Sequence, residues 1–199
     1  ELLNTRLPLS IGGYLTWLGA AELNRFTAYG REMIILCLIF LVNSLAVDMT
    51  SPVWSIYITG SLGASMTNLG FVFSLSNGVA AIAQILSGFL SDRYGRKTLH
   101  VLGTLLSIFP PIMYALASDW TNIIPWVMLS GLATGLYLPI RWAMVADVSP
   151  SKAMASAYSW SNISWLIGST VAPFAGGLVA DTMGIRFPFI ACFLLRLAV

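Results

Sequence analysis

Five apolar runs, each long enough to cross a lipid bilayer and each set off from the next by a short polar turn, constrain this chain more than any other feature. A spanning helix needs about 20 mostly apolar residues, because the hydrocarbon core is about 30 Å thick and a helix rises 1.5 Å per residue. The runs cover residues 33–57, 70–91, 98–117, 123–145 and 156–180, and a sixth begins at Phe187 and reaches Val199. That last stretch is too short to span, so the chain is expected to be cut inside a sixth helix; it also lacks an initiator Met, and a fragment is expected. In hydrocarbon, a helix satisfies its own backbone polar groups, so the sequence predicts an all-α, multi-pass membrane protein.

Composition agrees. Hydrophobic residues make up 57% of the chain, charged residues 9%, and the mean hydropathy is +0.82, whereas a soluble domain carries about a quarter charged residues. Ten Lys+Arg against eight Asp+Glu leave a net charge of +2, too little and too scattered for nucleic acid as a partner. Cys37 and Cys192 lie in apolar runs without paired spacing and are read as packing residues. One histidine, His100, leaves no His-rich metal cage, and no G-x-x-x-x-G-K-[ST] loop supports ATP hydrolysis. The expectation is a protein that is not an enzyme, without cofactor or metal, whose partners are the lipid bilayer and a small-molecule substrate. Its energy would come from a gradient.

Cytoplasmic loops of membrane proteins carry an excess of Lys and Arg. With the N-terminus inside, the inner side holds Arg25, Arg31, Arg93, Arg96, Lys97 and Lys152, with Arg141 near the inner end of the fourth span, and the outer side holds Arg186. Trp54, Tyr57, Trp120 and Trp126 mark one interface and Tyr94, Trp142 and Tyr158 the other. A cytoplasmic N-terminus, in a plasma or inner membrane, follows. Residues 1–32 form a separate stretch: Pro8, Gly12, Gly13 and Gly19 spoil a spanning helix, so a cytoplasmic or interfacial segment is expected. A signal peptide, with Arg6 before an apolar run that ends in small residues, is the lesser alternative.

Between the second and third spans the chain reads G-F-L-S-D-R-Y-G-R-K-T-L, Gly88 to Leu99. An acid ends one helix, a glycine permits a tight turn, and three cations hold the loop at the inner face. This spacing resembles the loop signature G-x-L-[SA]-D-R-x-G-R-[RK]-x-x-L of major facilitator superfamily transporters, matched at Gly88, Leu90, Asp92, Arg93, Gly95, Arg96, Lys97 and Leu99. Late in the fifth span Gly168, Ala172, Pro173, Gly176 and Gly177 form G-x-x-x-A-P-x-x-G-G. Small residues four apart let helices approach closely, and the proline bends the helix. The pattern is similar to one enriched among export antiporters of that family, with Ala172 where glycine is usual. A third segment, Ala146 to Pro150, looks like the family's acid-proline turn. By that resemblance Asp147 would pair with the loop cations, Arg96 foremost, and Asp92 would face a helix N-terminus in a second half. The family's usual arginine early in the fourth span would fall at Gly131.

The resemblance covers residues 33–199 and implies the N-terminal six-helix half of a twelve-helix fold, its sixth helix truncated and its second six-helix half missing from the chain.

Asp48 stands out as an acid at membrane depth, where insertion costs at least about 2.5–3.5 kcal/mol, so such residues are usually interior and functional. It is the candidate proton or cation site. Ser44, Asp48 and Pro52, with Asn43 beside them, share a face that would line a cavity. The alternative is a structural Asp48 bonded to Thr50 or Ser51. In the second span Ser74, Asn77, Gly78, Ala81, Gln84 and Gly88 form a small, polar face that either lines a pathway or packs on another helix. Arg196 would bind an anionic substrate or pair with Asp48, or else snorkel. Arg141 lies about one and a half turns before Asp147, positioned for an interior salt bridge or for substrate contact. The function expected is secondary active transport of a small solute by alternating access, as proton-coupled export. A uniporter or importer of the same family and a non-transporting scaffold or receptor half are the alternatives.

Overall fold

The computed structural model describes residues 30–150 and 153–198. The expected interfacial segment and signal-peptide alternative fall mostly on residues 1–29, outside the described residues, as do Arg25 and Lys152. The elements are α1 (Gly30–Asp48), α2 (Ser51–Ile56) running into a π-turn (Tyr57–Ser61), α3 (Met66–Tyr94) and α4 (Arg96–Leu116). A 3-10 turn (Trp120–Ile123) then leads into α5 (Ile124–Val148), followed by α6 (Met154–Met183) and α7 (Phe187–Leu197). Among the described residues there is no strand. Five helical stretches are long and apolar enough to cross a membrane, Arg31–Ser61, Met66–Tyr94, Arg96–Leu116, Trp120–Val148 and Met154–Met183, and α7 is a shorter apolar helix. The protein is a multi-pass, all-α integral membrane protein.

The helices outrun the apolar stretches of the sequence, because backbone bonding continues past the hydrophobic residues until a cap stops it. Ser65 caps α3 by accepting from the Asn68 amide at 3.1 Å. At its other end Gly95, with φ at 87°, closes α3 and opens α4 at once, so a single residue separates the two helices. The first span, expected to be continuous, breaks at Met49 and Thr50. Proline has no N–H for the carbonyl four residues back, so Pro52 leaves the Asp48 carbonyl open and the Ser51 hydroxyl takes it at 2.9 Å. Thr50 donates to Val47 O, also at 2.9 Å.

Packing repeats with a shift of three spans. The main partner of α3 is α5 and the main partner of α1 is α6; α4 packs on α5 as α7 packs on α1, and α4 meets α7. Spans related by that shift run in opposite directions, so the pattern is that of two inverted three-helix units. Both main seams close on glycine. A Cβ at Gly131 or Gly135 of α5 would run into the Ser76 and Ala80 carbonyls of α3, and one at Gly176 of α6 would run into the Met49 backbone. Aromatic residues fill the end near Trp120, where Tyr57 is fully buried and donates to Tyr114 O at 2.7 Å. The basic end is filled by Met33, Leu36, Phe40, Val145 and Ala157. Cys37 and Cys192 are buried free thiols.

Candidate functional site

At the basic end, the abrupt Gly95 turn brings the first residue of α4 over the last turns of α5. Arg96 Nη1 forms an ion pair with Asp147 and donates to the Ala143 carbonyl at 3.1 Å. The Arg96 and Asp147 side chains remain 42% and 54% exposed, so water screens the pair and holds it to a fraction of a kcal/mol, about 0.2–1. This is the pairing the motif implied. Asp92, Arg93 and Lys97 are exposed beside it, with Arg93 over the Tyr94 ring at 5.6 Å. Gly88 faces open space.

Arg141 takes no part in that pair. It is 4% exposed and its guanidinium lies over three rings, Phe40 at 4.3 Å, Trp165 at 4.6 Å and Trp142 at 4.8 Å, with Nε unpartnered. The salt-bridge expectation gives way because Arg96 reaches Asp147 from α4 while Arg141 is turned inward between α1, α5 and α6. Cation–π attraction there substitutes for a counter-ion.

Asp48 ends α1 half-buried, and its carboxylate accepts from the Ser44 hydroxyl at 2.9 Å; Ser44 Oγ also lies 2.7 Å from the Trp165 carbonyl of α6. Neither Thr50 nor Ser51 bonds the carboxylate, and Arg196 is engaged elsewhere. The expected polar stripe does not line a cavity as one face. Ser44 is fully buried against Gly168, where an added Cβ would lie 2.8 Å from its Oγ; Asn43 is 7% exposed with Oδ1 unpartnered; Pro52 belongs to the next helix. The G-x-x-x-A-P-x-x-G-G motif of the fifth span, α6, is the other side of this seam. Gly168, Ala172 and Gly176 are buried against α1 and the turn after it, Pro173 is half-buried, and Gly177 meets nothing within 4 Å.

The small, polar face of α3 goes the opposite way. Ser74, Asn77, Gly78, Ala81, Gln84 and Gly88 are all exposed, and α3 packs through Val72, Ala80, Ala83 and Ser87 instead. Gly131, where the motif family would carry an arginine, has no room for one: it lies on the Ser76 backbone of α3.

A cavity of about 270 Å³ lies between α3, α4 and α5 on one side and α1, α2 and α7 on the other. From α1 and its end it is lined by Val47 and Thr50 rather than Asn43 or Asp48; Asn77, Ser107 and Ser130 supply polar groups, Trp54, Tyr114 and Phe189 an aromatic wall, and Arg196 the charge. The sequence reading missed the aromatic wall and Ser107. The readable signal was Pro110-Pro111 in mid-span, which leaves α4 carbonyls without helical donors. The Arg141 cage had no such signal, because Phe40 and Trp165 come from distant helices.

A glycine-linked pair of spanning helices, a basic loop latched to an acid and two inverted three-helix units point to one family, and the family model of the Major Facilitator Superfamily matches residues 36–199. The chain belongs to the major facilitator superfamily. Superfamily relatives agree. It is 27% identical to an uncharacterised MFS-type transporter of Methanocaldococcus jannaschii over 81% of this chain and 42% of that protein. It is 28% identical to the MFS-type transporter YttB of Bacillus subtilis over 76% of this chain and 38% of that protein. With the quinolone resistance protein NorA of Staphylococcus aureus it shares 27% identity over 76% of this chain and 38% of that protein. The chain thus spans about two-fifths of the length of the superfamily relatives it matches.

Proposed function

We propose that this chain forms the N-terminal six-helix half of a secondary active transporter that moves a small solute by alternating access, coupled to protons and directed outward. The observation that carries this reading is the Arg96–Asp147 latch, an exposed ion pair joining α4 to α5 at the basic end and weak enough to break and re-form in each cycle. The open polar face of α3 supports it: the Asn77 and Gln84 side chains, with more hydrogen-bonding capacity than packing requires, are exposed there. Broad apolar faces stay uncovered on α3 and α6, among them Ile82, Ile85 and Phe89 on one and Leu166, Ile167 and Phe174 on the other, as suits contact with lipid and with a second six-helix half. The basic end is cytoplasmic in this reading, with the N-terminus on the same side.

Asp48 is the proton site. It is the acid at depth, it reaches the α1–α6 seam through Ser44, and among the described residues it has no ion pair. Export is supported by the fifth-span motif on α6 and by similarity to a quinolone resistance protein. The test is gradient-driven quinolone exchange by the full-length protein in proteoliposomes. Asp48→Asn is expected to abolish the dependence on the proton gradient while leaving folding, read by thermal stability, intact. Unchanged gradient-driven flux in that variant overturns the proton coupling.

A further inference from the structure

The double proline of α4 and the arginine of α7 meet at the cavity, and together they define the molecule that fits it. Pro111 has no N–H for the Ser107 carbonyl four residues back, and Arg196 Nη1 donates to that carbonyl at 2.9 Å. The helix break therefore anchors the arginine. A guanidinium carries five N–H donors, of which this bond uses one and the Cys192 sulfur lies within reach of another. Nε is buried without a partner, Cys192 lies alongside, and among the described residues no carboxylate pairs with Arg196. Among the described residues Arg196 is also the one charged residue lining the cavity.

Part of the lining is aromatic. Trp54 stands edge-on to Tyr114 with ring centroids 4.7 Å apart and tilts against Phe189 at 5.7 Å. A volume of about 270 Å³ falls just below the range of about 300–1,000 Å³ that holds drug-sized ligands, so the occupant has one or two rings. A cavity whose described lining offers one incompletely paired cation and no acid disfavours a cationic guest and leaves a neutral one without its best contact.

We propose that this cavity binds a small aromatic anion, its carboxylate on Arg196 and its ring against Trp54, Tyr114 and Phe189. The proposal rests on the transport reading in treating that anion as the class of solute carried.

The test is equilibrium binding to the full-length protein in lipid nanodiscs, by calorimetry and tryptophan fluorescence, with a naphthalene carboxylate and its neutral amide as probes. The acid is expected to bind about 10- to 100-fold more tightly than the amide, the worth of a hydrogen bond to a charged group. Arg196→Gln is expected to erase that preference and Arg196→Lys to keep part of it. Ser130→Phe, which fills the cavity with Arg196 in place, is expected to remove binding of both probes. Equal affinity for acid and amide, as would follow if another carboxylate of the full chain neutralises Arg196, overturns the proposal, and so does a preference that survives Arg196→Gln. Should Arg196→Gln fail to fold, the acid-to-amide ratio of the unaltered protein and the Ser130→Phe variant decide. Binding is read without a gradient, so loss of coupling in Asp48→Asn and loss of the acid preference are separate failures.

Discussion

The two main seams of the bundle, α3 against α5 and α1 against α6, are equivalent in the inverted repeat and are closed by the same device, yet they are built for different work. On α5, Gly131 and Gly135 lie on the Ser76 and Ala80 carbonyls and the Ala83 side chain of α3. On α6, Gly168 and Gly176 lie on Leu41, Ser44 and Met49. The difference is polarity. Where α1 meets α6, a buried hydroxyl joins an acid on one helix to a carbonyl on the other, while no side-chain hydrogen bond among the described residues crosses between α3 and α5. Small residues permit close approach in both, but only the α1–α6 seam carries, among the described residues, a buried hydroxyl that bridges to an acid.

The largest expected effects come from forcing these seams apart. Gly131→Arg, which restores the residue the family motif would place there, drives a long side chain into the Ser76 backbone and is expected to cost more than the 1–3 kcal/mol, roughly, of ordinary overpacking, read as a large fall in thermal stability. Gly176→Ala is expected within that range, because the Met49 backbone in its way cannot swing aside as a side chain can. Gly177→Ala, one residue on, meets open space and is expected to be neutral or to gain up to about 1 kcal/mol from helix propensity. Equal losses at Gly176 and Gly177 would mean that the seam does not govern stability and would remove the comparison's footing.

How far the sequence revealed these seams follows from what each kind of signal encodes. Hydrophobic run length reports depth in lipid, so five spans and the short sixth helix were legible, whereas their ends were not, because caps at Ser65 and Gly95 act through backbone geometry. The family resemblance led to Arg96 and Asp147, because it carried over a pairing between two separate segments that no local spacing encodes. Spacing along one helix also identified Ser74 to Gly88 as a single face, but not whether that face is covered. Asp48 was visible as an unusual acid, while its link through Ser44 to Trp165 was not, since the partner lies 121 residues away. The same limit hid the ring cage of Arg141 and the bond from Arg196 to Ser107.

The latch gives a smaller and more selective effect. Asp147→Asn removes the charge pair but leaves the Arg96 bond to Ala143 O, so it is expected to lower stability by less than about 1 kcal/mol, an effect that shrinks as salt is added. Arg96→Gln removes both contacts and is expected to cost more. If the latch works as a gate, both variants also change how readily cysteines placed across the basic end cross-link, by more than their stability loss explains. A cross-linking rate that merely follows stability would reduce the pair to a surface contact and leave the α1–α6 seam as the sole responsive element.

The smallest effect belongs to Asp119, at the opposite end of the bundle, and it sharpens the comparison by showing what an acid does when it only caps. Asp119 accepts from the Thr121 amide at 2.8 Å and from the Thr121 hydroxyl at 2.7 Å, and these bonds hold its carboxyl below the ordinary carboxylate range. A carboxylate whose folded value is depressed contributes stability that is present above its unfolded value and lost as pH falls through the folded one. Asp119→Asn, which still accepts from the amide, is expected to be close to neutral at pH 7 and to lose the acid-side pH dependence; Asp119→Ala is expected to be slightly destabilising. Neither should alter the dependence of transport on the proton gradient, because among the described residues this carboxylate bonds only within its own turn. A transport phenotype in Asp119→Asn would show that the carboxylate at the Trp120 end also senses protons, and Asp48 would no longer be distinguished by its place in a seam.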